Sequence, residues 1–339
     1  LSGWYAEWAQ FLLCALAIMV AGAQLSRYGD VLAAKTGMGR TWMGLVIVAA
    51  VTSLPEMATG ASSILWVQAP DITVGDLLGS CVFNLLILAL VDILYPRGPA
   101  LTAADRGHLV AAAFGVIMLG VAVMGVMAPS PLDSINFIHV GLSSPVLVTC
   151  YLVAMRAVFR YQRRERAAYQ KEKEEEPAYD GITLNRALLL FGINALAVMA
   201  AGIWLPRTAA HLAQLAGWHL SLMGTIFVAA STSLPEIVVT LGALRLGAID
   251  LAVGNLFGSN LINLALLGVM DLLYSKGPLL RMVAPEHAGT GLMAILMTGI
   301  AAVELAYRPQ KKALRWMSAG AFLLAFLYAA HIFVQMLAR

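Results

Sequence analysis

The stretch Thr52-Ser53-Leu54-Pro55-Glu56 returns 180 positions later as Thr232-Ser233-Leu234-Pro235-Glu236, and both copies lie inside apolar runs. A carboxylate, two hydroxyls and a proline are each costly or disruptive in the middle of a bilayer. Their joint recurrence points to one intramembrane cation site built from two homologous halves. Thr52 and Glu56 are four residues apart and share a helix face, with Ser53 about 100° round from Thr52. Pro55 lacks an amide hydrogen and crowds the carbonyl of Val51, and Pro235 does the same to Ser231. Each helix is therefore expected to break just before its proline and to release backbone oxygens. Ser80 and Asn84 are again four apart, matched by Ser259 and Asn263, and add a hydroxyl and an amide oxygen from each half. These are hard oxygen ligands of the kind calcium takes, about six to eight at a time, and that sodium accepts with less negative charge. Glu56 and Glu236 are expensive in lipid unless paired, and the Lys and Arg within expected spans (Arg156, Arg186 and Arg315) stand only at span ends, which makes a transported cation their natural partner.

The elements that must position these groups are membrane helices. Of the 339 residues, 60% are hydrophobic and 12% charged, with a mean hydropathy of +0.80, far below the roughly 25% charged residues of a soluble domain. Apolar runs place ten spans near 6–26, 41–67, 72–95, 107–128, 136–158, 184–205, 219–244, 250–274, 284–305 and 314–337. The first run, without a basic region or a cleavage pattern, reads as a retained helix rather than a signal peptide. Lys and Arg concentrate in the loops after spans 1, 3, 5, 7 and 9, so that side is expected to be cytoplasmic, with both termini outside. The net charge of +3 follows from this bias and implies no nucleic-acid partner.

Ala21-Gly22, Leu25, Arg27, Leu32, Gly37 and Met43-Gly44 recur 180 residues on, at Ala201-Gly202, Leu205, Arg207, Leu212, Gly217 and Met223-Gly224. Gly75, Gly79-Ser80, Asn84, Asp92, Tyr95 and Gly98-Pro99 recur at an offset of 179. The fold class is thus an all-α polytopic membrane protein: ten transmembrane helices as two inverted five-helix repeats, since a duplicated unit with an odd number of spans enters the membrane from opposite faces. The repeats cover 1–159, with its motif in 44–95, and 183–339, with its motif in 224–274. The charged segment 160–182, including Glu174 to Glu176, joins them as a solvated linker. Asp92 and Asp271 each sit beside a Tyr at a span end and read as interfacial anchors. Cys14, Cys81 and Cys150 read as packing residues, and His108, His211, His219, His287 and His331 show no ligand spacing.

The pattern resembles the cation/calcium exchanger superfamily, whose two repeats carry G-T-S-L-P-E and G-S-N-x-x-N motifs. The resemblance covers nearly the whole chain. It implies an antiporter in which Thr52, Ser53, Glu56, Ser80, Asn84, Thr232, Ser233, Glu236, Ser259 and Asn263 coordinate Ca2+ and its counter-ions, with backbone carbonyls of Ala49 and Ala229. By the same resemblance, spans 1 and 6 slide past the core to switch access. The chain departs from the pattern at Val51 and Ser231, which replace Gly, at Cys81, which replaces Asn, and at Asn263, which is Asp in many prokaryotic members. Asp76, where the other repeat has Asn255, lies on the stripe of Ser80 and Asn84 and is expected to meet ions in the outward access path, in competition with a plain helix-capping role.

The function expected is secondary antiport of Ca2+ against Na+ by alternating access. The alternative is proton-coupled export of Ca2+, Mn2+ or Mg2+, because two glutamates balance one divalent ion or two protons equally well. No enzyme is expected: Ser53 and Ser233 have no His or Lys at a credible spacing, and no HExxH occurs. No cofactor and no obligate protein partner are expected beyond the transported ions and the bilayer, in the plasma (inner) membrane.

Overall fold

The computed structural model describes residues 2–36, 49–127, 139–169 and 181–337, and among these every regular element is helical. The principal helices are α1 (Ser2–Thr36), α2 (Ala49–Thr52), α3 (Leu54–Ser62), α4 (Pro70–Leu94), α5 (His108–Met127), α6 (Ser143–Tyr169), α7 (Leu184–Ala216), α8 (Ala229–Thr232), α9 (Leu234–Arg245), α10 (Ile249–Leu273), α11 (Glu286–Tyr307) and α12 (Ala319–Leu337). Seven are long and apolar enough to cross a membrane, and an eighth span forms if Leu220–Thr232 and Leu234–Arg245, bent by 41°, count as one. Of the two remaining expected spans, 136–158 falls on α6 and 41–67 on α2 and α3. The first residues of both, with Gly37, Met43-Gly44, Asn136 and linker residues 170–180, lie outside the described residues.

Helices α4 and α10 form the centre. Their apolar windows are 72% and 78% buried, against 17% for α7, so α7 presents most of its surface to lipid while α4 and α10 are walled in by protein. Polarity is correspondingly reversed from that of a water-soluble domain. Thr52, Glu56, Asp76, Ser80, Asn84, Glu236 and Asn263 are fully buried, whereas Leu12, Leu13, Leu188, Leu189 and Leu196 are exposed.

The packing is reciprocal between the halves. Helix α3 packs on α7 and α9 on α1; α4 packs on α12 and α10 on α6; α4 packs on α11 and α10 on α5. Each of these pairs is the same contact with the halves exchanged, as a pseudo-two-fold axis requires. α1 meets α7 and α4 meets α10 across that axis. The outer helices seat against the broken ones at matched glycines. A Cβ at Gly22 of α1 would fall 2.4 Å from Pro235, and one at Gly202 of α7 would fall 2.8 Å from Ala58. Gly79 does the same inside the core, where a Cβ would lie 2.3 Å from the carbonyl oxygen of Thr225.

Asp92 and Asp271 are not interfacial anchors. Both are buried, and each staples the end of a central helix to the chain that follows it and to the other half. Asp92 accepts from the amides of Ala100 (2.7 Å) and Ser318 (2.7 Å); Asp271 accepts from the amides of Leu279 (2.6 Å) and Gly141 (2.7 Å) and from the Ser144 hydroxyl. The turns between staple and helix end pass through Gly98 and Gly277, whose φ values of 118° and 136° explain the repeated Gly-Pro. At the opposite ends of α4 and α10 a second matched pair reaches across the halves: Asp71 accepts from the Ala284 amide (2.7 Å) and meets His287 Nε2 (3.1 Å), and Asp250 accepts from the Asp105 amide (2.6 Å) and meets His108 Nε2 (3.3 Å). His108 and His287 thus serve inter-repeat clasps, which ligand spacing along the chain does not reveal.

Asp271→Ala strands two buried amides and a buried hydroxyl, and each such orphan costs about 1–3 kcal/mol. The variant is expected to unfold at a clearly lower temperature in detergent than Asp271→Asn, which keeps one acceptor oxygen. Equal melting temperatures for Asp271→Ala and the parent chain would show that the staple carries no stability.

Candidate ion site

Both repeated motifs break their helices at the residue expected. Ser53 has φ −83° and ψ 7°, Ser233 has φ −84° and ψ 8°, and each stands between a short helix and one that begins with Leu-Pro. The proline ring cannot continue the amide ladder, so the helix restarts after one residue of bridge-region backbone. This turns Thr52 and Thr232, at the ends of α2 and α8, toward the central helices, while Glu56 and Glu236 stand in the first turns of α3 and α9. An acidic residue in a first helical turn is favoured by the free amides there.

The side chains cross between halves. Thr52 Oγ1 lies 3.3 Å from Ser259 Oγ, and Glu236 stands beside both hydroxyls. In the mirror-related position Ser80 Oγ lies 3.5 Å from Thr232 Oγ1 and accepts from Ser233 Oγ at 2.9 Å, while Ser233 Oγ approaches Glu56 Oε1 at 3.5 Å. The Ala49 carbonyl accepts from the Ser53 amide (3.0 Å) and the Thr52 hydroxyl (3.1 Å), and the Ala229 carbonyl from the Ser233 amide (3.1 Å) and the Thr232 hydroxyl (3.2 Å). Both carbonyls therefore lie at the break, within reach of the same hydroxyls.

Asp76 is no helix cap. It is 0% exposed, more than a turn inside α4, and its Oδ1 accepts from Thr232 Oγ1 at 2.7 Å. Asn84 donates Nδ2 to Asn260 Oδ1 at 2.9 Å, and Asn260 in turn donates to the Cys81 carbonyl at 3.2 Å. Asn260 and Cys81 occupy matching positions of the two halves, so this is where α4 and α10 cross. The amide of Asn260 bridges the gap that the smaller Cys81 leaves, and it turns the Asn84 carbonyl away from the crossing. Sequence reasoning missed Asn260, although its mismatch with Cys81 in otherwise matched motifs was a usable signal.

Among the buried oxygens of the described residues left without a hydrogen-bond partner, seven belong to the expected ion-site residues: Ser53 Oγ, Glu56 Oε2, Asp76 Oδ2, Asn84 Oδ1, Glu236 Oε1 and Oε2, and Asn263 Oδ1. Orphaned buried oxygens are rare and costly. These come from both halves, and Lys and Arg are absent from the buried residues described. Four of the seven belong to the carboxylates of Glu56, Asp76 and Glu236 and three to a hydroxyl and two amides, and among the described residues no three His, Cys, Asp or Glu side chains converge at metal-ligand spacing.

The model of the sodium/calcium exchanger protein family matches residues 6–138 and 186–337. The chain belongs to the sodium/calcium exchanger protein family. The exchanger is 26% identical to the inner membrane protein YrbG of Escherichia coli over 275 residues, 78% of this chain and 82% of that one. It is 25% identical to the sodium/calcium exchanger MaX1 of Methanosarcina acetivorans over 295 residues, 78% of this chain and 82% of that one. A solved structure of the sodium-calcium exchanger NCX_Mj, soaked with Na+ and Sr2+, has the same fold, with a TM-score of 0.63 and 21% identity over 97% of this chain and 98% of that one. The exchanger is an integral membrane antiporter, as the family and its apolar helices show.

Asn260→Ala removes the group that holds Asn84 Nδ2 while leaving every unpartnered oxygen in place. Its expected effect is a weaker Ca2+ affinity, by about tenfold, through a misdirected Asn84. A Ca2+ dissociation constant equal to that of the parent chain, measured by equilibrium binding, would show that the bridge does not position Asn84.

Proposed function

We propose that the exchanger moves Ca2+ against Na+ by alternating access, with the ions held by Thr52, Ser53, Glu56, Asp76, Ser80, Asn84, Thr232, Ser233, Glu236, Ser259 and Asn263 and by the carbonyls of Ala49 and Ala229. The observation that carries this reading is the set of buried, unpartnered oxygens contributed by both halves, with no Lys or Arg among the buried described residues to balance Glu56, Asp76 and Glu236. Cations are the partners such a set can take, because an unbalanced carboxylate is too costly in a medium without water. Neutral hydroxyls and amides keep the charge low enough for a divalent ion to leave once monovalent ions arrive. Proton-coupled export is not favoured, since the family and the relative MaX1 are named for sodium and calcium.

The symmetry supports the transport cycle. Residues 1–159 and 183–339 form two inverted repeats of five spans joined by the 160–182 linker, and exchanging their conformations opens the site first to one side and then to the other. Helices α1 and α7, which touch the broken helices at Gly22 and Gly202, are the elements that slide. The excess of Lys and Arg after spans 1, 3, 5, 7 and 9 supports a plasma (inner) membrane protein with both termini outside.

Calcium-45 uptake into proteoliposomes tests the reading directly. An imposed Na+ gradient is expected to drive uptake and a matched pH gradient is not; uptake driven by the pH gradient alone would overturn it. Glu56→Gln and Glu236→Gln are each expected to abolish uptake. Gly22→Val, which crowds the Pro235 contact, is expected to slow exchange at least about tenfold while Ca2+ binding persists; unchanged turnover would show that α1 does not slide there.

A further inference from the structure

The chain from Arg308 to Ser318, between α11 and α12, forms no regular helix, yet it is tied down along its length. The Arg308 guanidinium donates to the Ala104 carbonyl, Thr102 Oγ1 donates to the Pro309 carbonyl at 2.9 Å, and the Leu314 amide donates to the Met317 carbonyl at 3.0 Å. Lys312 Nζ donates to the carbonyls of Asp92, Tyr95 (2.9 Å) and Trp316 (3.2 Å). All three of its hydrogens thus hold the loop against the end of α4, while its charge stays uncancelled. Between this loop and the end of α4 lies an open cavity of about 500 Å3, whose wall includes Tyr95, Gln310, Lys311, Lys312, Arg315 and Trp316. No Asp or Glu lines it, and among the described residues no carboxylate forms an ion pair with Lys311 or Arg315, both of which are exposed.

The other half has no such set of cations. Gly141, whose amide reaches Asp271 as the Ser318 amide reaches Asp92, follows a stretch, 128–140, that contains Asp133 and no Lys or Arg. A bias of Lys and Arg to one face follows from orientation in a membrane, but three of them walling one cavity without a carboxylate repel one another and call for an anion. The cavity stands at span ends, where lipid headgroups lie: α4 ends at Leu94, α11 ends at Tyr307 and α12 begins at Ala319. Leu94, Leu314 and Trp316, in or beside its wall, are 50%, 43% and 55% exposed, an apolar and aromatic edge of the kind that settles at a membrane boundary. We propose that this cavity binds the phosphate headgroup of an anionic phospholipid, with Lys311 and Arg315 on the phosphate, Lys312 shaping the loop and Trp316 against the start of the acyl chains. The planar fork of Arg315 matches a pair of phosphate oxygens, and basic pockets at the ends of membrane helices suit such headgroups. A lipid seated there bridges the loop to the end of α4 and braces α12 against the central helix on which it packs.

The test is thermal unfolding of the purified full chain in maltoside micelles to which dioleoylphosphatidylglycerol, dioleoylphosphatidylcholine or glycerol 3-phosphate is added. Phosphatidylglycerol is expected to raise the melting temperature saturably, and the other two to leave it unchanged at the same concentrations. Lys311→Gln combined with Arg315→Gln is expected to raise the half-effective phosphatidylglycerol concentration at least about tenfold, and Lys311→Arg combined with Arg315→Lys to keep it within about threefold of the parent. Arg106→Gln combined with Arg160→Gln, which removes two exposed charges outside the cavity, is expected to behave as the parent chain does. An equal loss in both charge-removing pairs overturns the site in favour of diffuse surface charge, and equal protection by phosphatidylcholine overturns it outright. Protection by glycerol 3-phosphate at the same concentrations overturns the lipid and gives the cavity to a soluble phosphate. Micelles leave both faces of the protein accessible, so neither the transported ions nor the orientation in the membrane enters the outcome.

Discussion

Three buried carboxylates, with no Lys or Arg among the buried described residues to balance them, set the terms for the rest of this molecule. Glu56, Asp76 and Glu236 are each fully enclosed by protein, and charges in such a place persist only when mobile counter-charges reach them. That need accounts for the hydroxyls and amides gathered around them. It also accounts for the two helix breaks, which bring Thr52 and Thr232 to the central helices. A continuous helix would have carried Thr and Glu on the same face but kept its backbone ladder closed.

Enclosing such a site without freezing it calls for rigid and yielding contacts in the same fold. The rigid ones are the staples of Asp92 and Asp271 and the clasps of Asp71 with His287 and Asp250 with His108, which tie α4 and α10 to the halves around them. The yielding ones are proposed along α1 and α7, which present broad apolar surfaces and touch the broken helices at Gly22 and Gly202. Every such contact has a partner in the other half. A conformation available to one half is thereby available to the other, and alternating access rests on that exchange.

Where the symmetry fails, chemistry replaces geometry. Cys81 faces Asn260, and the larger side chain bridges to the smaller one's backbone. Gly60 stands where the other half has Thr240, so Asp76 loses the partner that Asn255 keeps. Both are small substitutions in a duplicated frame, and both change which buried side chains meet across the halves.

The amino-acid pattern alone established the membrane class, the duplication, the breaks at Pro55 and Pro235 and the oxygen-bearing residues of the motifs, because hydropathy, proline chemistry and four-residue spacing are local properties of a chain. It misplaced Asp92 and Asp271, passed over Asn260, and saw nothing in His108 or His287. Their roles lie with partners between 127 and 226 residues away along the chain, apart from the adjoining turns at Ala100 and Leu279. The same holds for Asp76, whose place on the stripe of Ser80 and Asn84 was legible but whose partner Thr232 was not. Helical periodicity says which residues share a face. Only the packing of one repeat against the other decides what that face meets.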